Sequence, residues 1–465
     1  MDIKEAELEV ETAERVSSAS DEAVKNSIYE KEINMKNIVA FTVPTIIRMV
    51  FISMYSIVDG IVVANYVGSL GLSAINIVYP VVDVSMALAF MFAMGGSAII
   101  GKKLGEGKRE EANRFLSLVV IINLIVIGIV LMVFFIWAEE IFRLVGSDDQ
   151  LLPYCIEYGL ITLAGAPLWV LQVLFQNFLI AADKPKMGLW LSIIAGVINV
   201  GLDILLVGVW GMGLKGAAIA SVSGMTVGAL VPLTVFFNKK SILHFEKPRW
   251  YGKDVLKAVG NGSSEMITSF TGALTGVILN VQLMAYMGEK GVAAMSSAFY
   301  IQFIFIAVFF GFSSGIAPVY SFNYGAENTQ NIRKLFKISM EIIGFFAVLM
   351  FGLAEIFTEE LTLIFASKDA KLFEIMVSGL RIFAFSILFS GIGIFASSFF
   401  TALNDGKRSA FISLLRIVVL EIPALLILPK VAGPIGLWWA IPVAEAIGAA
   451  IVIIILRRNR RTYGY

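Results

Sequence analysis

Two carboxylates, an amide and a hydroxyl fall within apolar runs in the first half of this 465-residue chain. Asp59 lies in the run 37–66, NIVAFTVPTIIRMVFISMYSIVDGIVVANY, and Asp203 lies in AGVINVGLDILLVG. Asn199 precedes Asp203 by four positions, which puts both on one helix face. Ser221 sits in AAIASVSG, among small residues. Runs of this length and polarity are read as membrane spans, and an ionisable group at that depth costs at least ~2.5 kcal/mol, so function is its default reading. Oxygen-only ligands of this kind suit a hard cation such as Na+. Two acids in a dry setting share charge poorly, so the same oxygens also suit a proton. The plain alternatives are an Asp59 that reaches a headgroup and an Asp203 paired with a polar neighbour.

Other polar residues within the apolar runs are weaker candidates. Pro44 removes a backbone donor inside the first run and is a candidate hinge. Arg48, long and flexible, is expected to snorkel to a membrane face. Asp83, Gln172, Asn177, Glu265, Asn280, Gln282 and Gln302 are candidates to line a cleft or to bond helices together. Arg416 and Glu421 are five residues apart, a poor spacing for a direct pair, so partners on other helices are expected. Arg381 and Glu445 also fall inside apolar runs, where structural ion pairing is the even-handed alternative.

The elements that must position these groups follow from composition and hydropathy. The chain is 58% hydrophobic and 15% charged, against about 25% charged for a soluble protein. An all-α polytopic membrane protein is expected. Twelve spans are predicted, numbered here 1–12 in order: 37–66, 72–100, 115–138, 152–181, 187–208, 214–237, 255–286, 292–318, 335–357, 372–402, 409–429 and 436–456. They divide the chain into an acidic tail over 1–34, expected to be disordered, and a first lobe over 35–237. A basic loop over 238–254, a second lobe over 255–456 and a basic tail over 457–465 follow.

A repeat joins the lobes. Gly68 and Gly288 are 220 positions apart, and the same offset joins Gly71 to Gly291, Gly95 to Gly315, Gly105 to Gly325 and Gly213 to Gly433. Six spans per lobe give both lobes the same topology, so an axis along the membrane normal relates them. Paired bundles with a cleft between them suit alternating access, which a channel or receptor does not need. Lys and Arg collect on one side, near 102–114, 184–186, 239–253, 333–337, 407–408 and 457–461. That bias predicts cytoplasmic termini and explains the basic loops without nucleic-acid binding. One cysteine, Cys155, and one histidine, His244, argue against an intramembrane metal enzyme. His244, in the charged loop LHFEKPRW, is expected to be solvated.

Four stretches carry a resemblance: Pro44-x14-Asp59 leading into VDGIVVANYVGSLGLSAI, GKKLGEGKREEANR, AADKPK with NVGLDILLVGVWGMGLKGAAIAS, and APVYSFNYGAENTQNIRK. Over about residues 35–456 the chain resembles the MATE (multidrug and toxic compound extrusion) family, in its MepA-like and DinF-like bacterial branch. The resemblance implies two six-helix lobes; a monomer in the cell membrane is expected. The resemblance also implies antiport of amphipathic, often cationic, organic compounds against H+ or Na+, with no other cofactor. It places a cation site on Asp59, Asn199 and Asp203, with a hydroxyl at Ser221 where threonine is more usual, and a bend at Pro44. In NGSSEM a proline common in this branch is replaced, which leaves Glu265 without a secure counterpart, although some relatives use a second-lobe acid. The rival inside the superfamily is a lipid-linked oligosaccharide flippase, which needs a cleft richer in Arg and Lys for pyrophosphate.

Overall fold

The structure is a computed structural model that describes residue 24, residues 26–366 and residues 369–465, with the side chains of 56–65 and 69 also left out. Among the described residues there is no strand. Ten helical segments there are long and apolar enough to cross a membrane, and the pair Leu152–Ala164 and Ala166–Ala181, bent by 47°, adds an eleventh. One of the ten, Gly252–Gly325, breaks at Gly288 and crosses twice, which accounts for the twelve expected passes.

Spans 1 and 2 form one helical run, Met35–Gly105, with Gly68 as its only non-helical residue. Spans 7 and 8 do the same over Gly252–Gly325. The expected interhelical links there reduce to single residues at φ 81° for Gly68 and φ 64° for Gly288. Only glycine takes that conformation without steric cost, so the chain reverses without a loop. The repeat extends to span 5 and span 11. Each widens into a π-helical segment, Asp203–Val209 and Leu415–Glu421, and each segment carries a carboxylate at one end. Such segments concentrate at functional sites.

The lobes meet at one end and part at the other. At the end bearing the basic loops, one apolar core runs through both lobes, from Phe175 and Phe178 to Phe312 and Phe395. At the far end the core is divided. Ala74, Val78, Phe142 and Leu163 belong to the first lobe's share, and Leu279, Met295, Phe383 and Trp438 to the second's. Backbone contact seals the joined end: a Cβ on Gly262 would stand 1.8 Å from the Met91 carbonyl oxygen. Across the pseudo-axis a Cβ on Gly311 would stand 2.6 Å from the Ile46 Cα. Lys103 of span 2 also reaches Asp254, at the start of span 7, at 3.0 Å.

At this end one expectation is narrowed and another fails. The acidic tail is not loose throughout. Residues 1–23 and 25 lie outside the described ones, but Ser27, Ile28, Tyr29 and Ile33 are buried. The Tyr29 hydroxyl donates to the Ala181 carbonyl at 2.6 Å, and its ring stacks 4.6 Å from Phe322 of the other lobe. Asp183 accepts the Ile28 backbone N–H; burial pushes its carboxyl up despite that bond and nearby Lys31 and Lys184. His244 is not solvated either. It is buried, and its ring stands 3.2 Å from both the Asn113 amide and Glu246. Asn113 Oδ1 accepts its backbone N–H at 3.1 Å, while Arg109 donates to the carbonyls of Ser241 and Ile242. Phe245 then fits between Phe236 and Phe237, so the inter-lobe loop closes the groove between spans 3 and 6. The charge of that loop concealed two partners supplied by a distant helix.

Candidate functional site

A cavity of about 330 Å³ lies between the lobes, just inside the sealed end. Its walls are mainly apolar, with Met49, Met86, Met94, Phe90, Phe303 and Phe310 from both lobes. Flexible thioethers and rings make a surface that can adapt to varied apolar shapes. Glu265 on span 7 and Arg48 on span 1, one from each lobe, both line the cavity, and among the described residues no ion pair joins them. The snorkelling expected of Arg48 is therefore wrong. Its side chain is buried at 5% exposure, Nη1 donates to Gln176 Oε1 at 2.9 Å, and Nε has no partner among the described residues. Span 1 turns this face to the bundle rather than the lipid, and Gln176 on span 4 supplies the acceptor.

Of the cleft candidates, Gln172, Asn177 and Glu265 line the cavity. Gln176, Ser192 and Trp169 line it as well and were not singled out by sequence. Gln302 is buried inside the second lobe, donating to Ser386 at 2.7 Å, and serves as interhelical glue. Asp83 and Asn280 are exposed, Gln282 is half-buried, and none of the three lines the cavity. Arg381 is exposed on span 10, 3.5 Å from Glu359. Arg416 finds its partner on another helix, as expected, with Nη2 at 2.6 Å from Glu445 Oε1.

The second region is the inside of the first lobe. Asp203 is fully buried and opens the π-helical segment of span 5. Asn199 is buried one turn earlier, and its amide nitrogen lies 3.5 Å from the Ser221 hydroxyl. Spans 5 and 6 approach closely here because Gly224 lacks a side chain; a Cβ there would stand 2.8 Å from the Ala195 carbonyl oxygen. Asn199 Oδ1 is buried and accepts no hydrogen bond among the described residues. A buried oxygen in need of a donor or a cation is what a cation site provides. Span 1 lies along this face, with Phe51 against Gly196 and Tyr66 against Gly208. The stretch between them carries Asp59, whose side chain lies outside the described ones. Among the described residues no cluster of three His, Cys, Asp or Glu could hold a metal ion. Carboxylate, amide and hydroxyl oxygens suit a proton or an alkali cation instead.

Pro44 is buried within a helix that keeps helical dihedrals through it. Its neighbour Thr45 packs on Gly315 of span 8, where a Cβ would stand 2.3 Å from the threonine hydroxyl. The candidate hinge therefore sits at the sealed inter-lobe contact.

Two pseudo-symmetric six-pass lobes around a central cavity define the layout of an alternating-access transporter. The family model described as MatE matches residues 44–205 and 266–427, two blocks spaced close to the 220-residue repeat, and the chain belongs to this family. The chain is 26% identical over 447 residues to the multidrug export protein MepA of Staphylococcus saprophyticus, covering 93% of this chain and 96% of that protein. It is 24% identical to MepA of Staphylococcus aureus over 448 residues, with the same coverage. In fold it is similar to a crystal structure of MATE in complex with MaL6, with a TM-score of 0.89, 20% identity, and coverage of 96% of this chain and 99% of that one. It is also similar to a multidrug resistance MATE family transporter in an outward-facing conformation, with a TM-score of 0.88, 21% identity, and coverage of 96% and 98%.

Proposed function

We propose that this chain exports amphipathic, often cationic, organic compounds from the cell by antiport against H+ or Na+. The carrying observation is the inter-lobe cavity, adaptable and apolar, with Glu265 as the one carboxylate among its described lining residues. An amphipathic cation buries its apolar body among the methionines and phenylalanines and sets its charge toward Glu265. Arg48, which lines the same cavity, takes hydrogen-bond acceptors on the compound. One arginine is too few for a pyrophosphate-bearing lipid. The relatives' name, multidrug export protein, agrees with this reading.

The positive-inside rule assigns the sealed, basic end to the cytoplasm. The state described is then closed inward, with the lobes parted outward. A cation or proton entering the first lobe reaches Asp203, Asn199 and Ser221 beside the Asp59 stretch of span 1. Its charge removes the cost of buried carboxylate, which changes how span 1 packs on span 5. Pro44 lets that change reach the contact with Gly315, because a helix missing one backbone bond has more than one tolerable geometry. Similar structures include MATE in a bent and in a straight conformation.

The test is uptake by proteoliposomes of a cationic dye and of a neutral dye of similar size. Glu265→Gln raises the apparent KM for the cation at least about tenfold, as loss of a charged contact of about 1.5–3 kcal/mol implies. The neutral dye is unaffected. An unchanged KM for the cation would remove Glu265 from recognition.

A further inference from the structure

A second, larger cavity of about 850 Å³ lies between spans 9 and 12, outside the transport path. Its lining carries five cations, Arg333, Lys334, Lys337, Arg457 and Arg460, against one acidic side chain, Glu341. Its inner wall is Phe336, Met340, Ile453 and Leu456. We infer that this groove binds an anionic phospholipid; the inference rests on the reading of the chain as a membrane transporter.

The 220-residue repeat shows what is unusual about it. Arg333 stands where the first lobe has Asn113, Lys337 where it has Ser117, and Tyr465 where it has Phe245. The Phe245 backbone N–H donates to the Phe236 carbonyl at 2.6 Å, and the Tyr465 hydroxyl donates to the Leu456 carbonyl, the equivalent position, at 2.7 Å. In the first lobe, however, the loop around Phe245 covers the groove, with His244 on Asn113 and the Glu246 N–H on the Ser117 hydroxyl. In the second lobe Tyr465 fills only the inner corner, against Phe336 and Phe399. Cations replace the amide and the hydroxyl that held the first-lobe loop.

Those cations lack the partners their neighbours have. Elsewhere at this end Lys103 meets Glu111 and Asp254, Lys108 meets Glu106, and Arg408 meets Asp405. Among the described residues Arg333, Lys334 and Arg457 are within ion-pair distance of no carboxylate. Lys337 has only Glu341, at 4.0 Å and largely exposed, and Arg460 donates to the Tyr465 carbonyl. The excess positive charge calls for an anion.

Placement along the helices selects which anion. The helix that carries span 9 begins at Thr329 and the helix that carries span 12 ends at Tyr463, both at the basic end. Met340 and Ile453 thus lie one or two turns deeper toward the bilayer centre than Arg333 and Arg457. A phosphate at the cations with an acyl chain along the deeper apolar wall satisfies both, as basic pockets between spans do for anionic headgroups. A soluble phosphate would use only the cations.

The test is native mass spectrometry of the full chain in neutral detergent, titrated with phosphatidylglycerol or with phosphatidylcholine of the same acyl chains. Saturable binding of phosphatidylglycerol over phosphatidylcholine is expected. The combined Arg333→Gln, Lys334→Gln and Arg457→Gln substitutions weaken it about tenfold or more. Lys186→Gln, Lys239→Gln and Lys240→Gln together remove the same charge from the first-lobe side and leave it unchanged. Equal losses in both variants would overturn the site. So would displacement by inorganic phosphate, or phosphatidylglycerol binding that emerges only after deletion of the acidic residues 1–23, which would give the groove to that segment. The readout is lipid and not transport, so its failure leaves the efflux reading standing.

Discussion

Gly105 and Gly325 face each other's helices across the pseudo-axis. A Cβ on Gly105 would stand 1.9 Å from the Phe322 carbonyl oxygen, and one on Gly325 would stand 2.0 Å from that of Lys102. The contact is reciprocal, as a two-fold relation requires, and it seals the basic end of the lobe interface. Gly105→Leu or Gly325→Leu therefore keeps the lobes apart there. Overpacking of about 1–3 kcal/mol corresponds to a roughly five- to 150-fold shift between states. Dye efflux falls while the protein stays in the membrane, and a Ser314→Cys reporter in the cavity becomes reactive from the basic-loop side of inverted vesicles. Normal efflux with an unreactive cysteine would mean that the contact is incidental.

The N-terminal segment reinforces the same seal. Tyr29 touches Ala181 of one lobe and Phe322 of the other, so separation of the lobes at this end has to break one contact or both. Tyr29→Ala forfeits burial of an aromatic ring, about 2–3 kcal/mol. Hydrogen exchange over residues 26–34 accelerates, and labelling of the same Ser314→Cys reporter from the basic side speeds up severalfold. Unchanged exchange would show that the segment is held by other contacts.

Much of the fold was legible because it follows from glycine and hydropathy. Gly68 and Gly288 stood out at one offset, and both prove to be reversals at positive φ. What hydropathy could not give was helix rotation. Arg48 was expected at a membrane face because its side chain can reach one; its burial depends on Gln176, 128 positions away. His244 looked solvated, and the tail that holds Tyr29 disordered, because the residues around them are charged, while their partners, Asn113, Ala181 and Phe322, lie on helices distant in sequence. Conversely, Asp83 and Asn280 fall within apolar runs yet do not face the cavity. Asn199, Asp203 and Ser221 do occupy one region, since i, i+4 spacing on span 5 and a glycine on span 6 leave little freedom there.

The second lobe carries a buried ion pair whose removal tests its packing. Arg416 lies against Gly393, where a Cβ would stand 2.5 Å from Nε, and it binds Glu445 with Glu421 nearby. Arg416→Ala strands a buried carboxylate and destabilises by about 3–5 kcal/mol, whereas Arg416→Met with Glu445→Leu costs little or stabilises. Thermal unfolding in detergent distinguishes them. A double substitution as damaging as the single one would mean that the pair specifies the fold of the lobe.

The central claim is that a cation bound in the first lobe drives export through the inter-lobe cavity. It is tested most directly in proteoliposomes loaded with a cationic dye under an imposed pH gradient or an imposed Na+ gradient. The account predicts gradient-driven dye movement by the unaltered chain with at least one of the two ions. It also predicts loss of that movement in Asp59→Asn and in Asp203→Asn while the dye still binds. Gradient-driven transport that persists in both substituted proteins would contradict it.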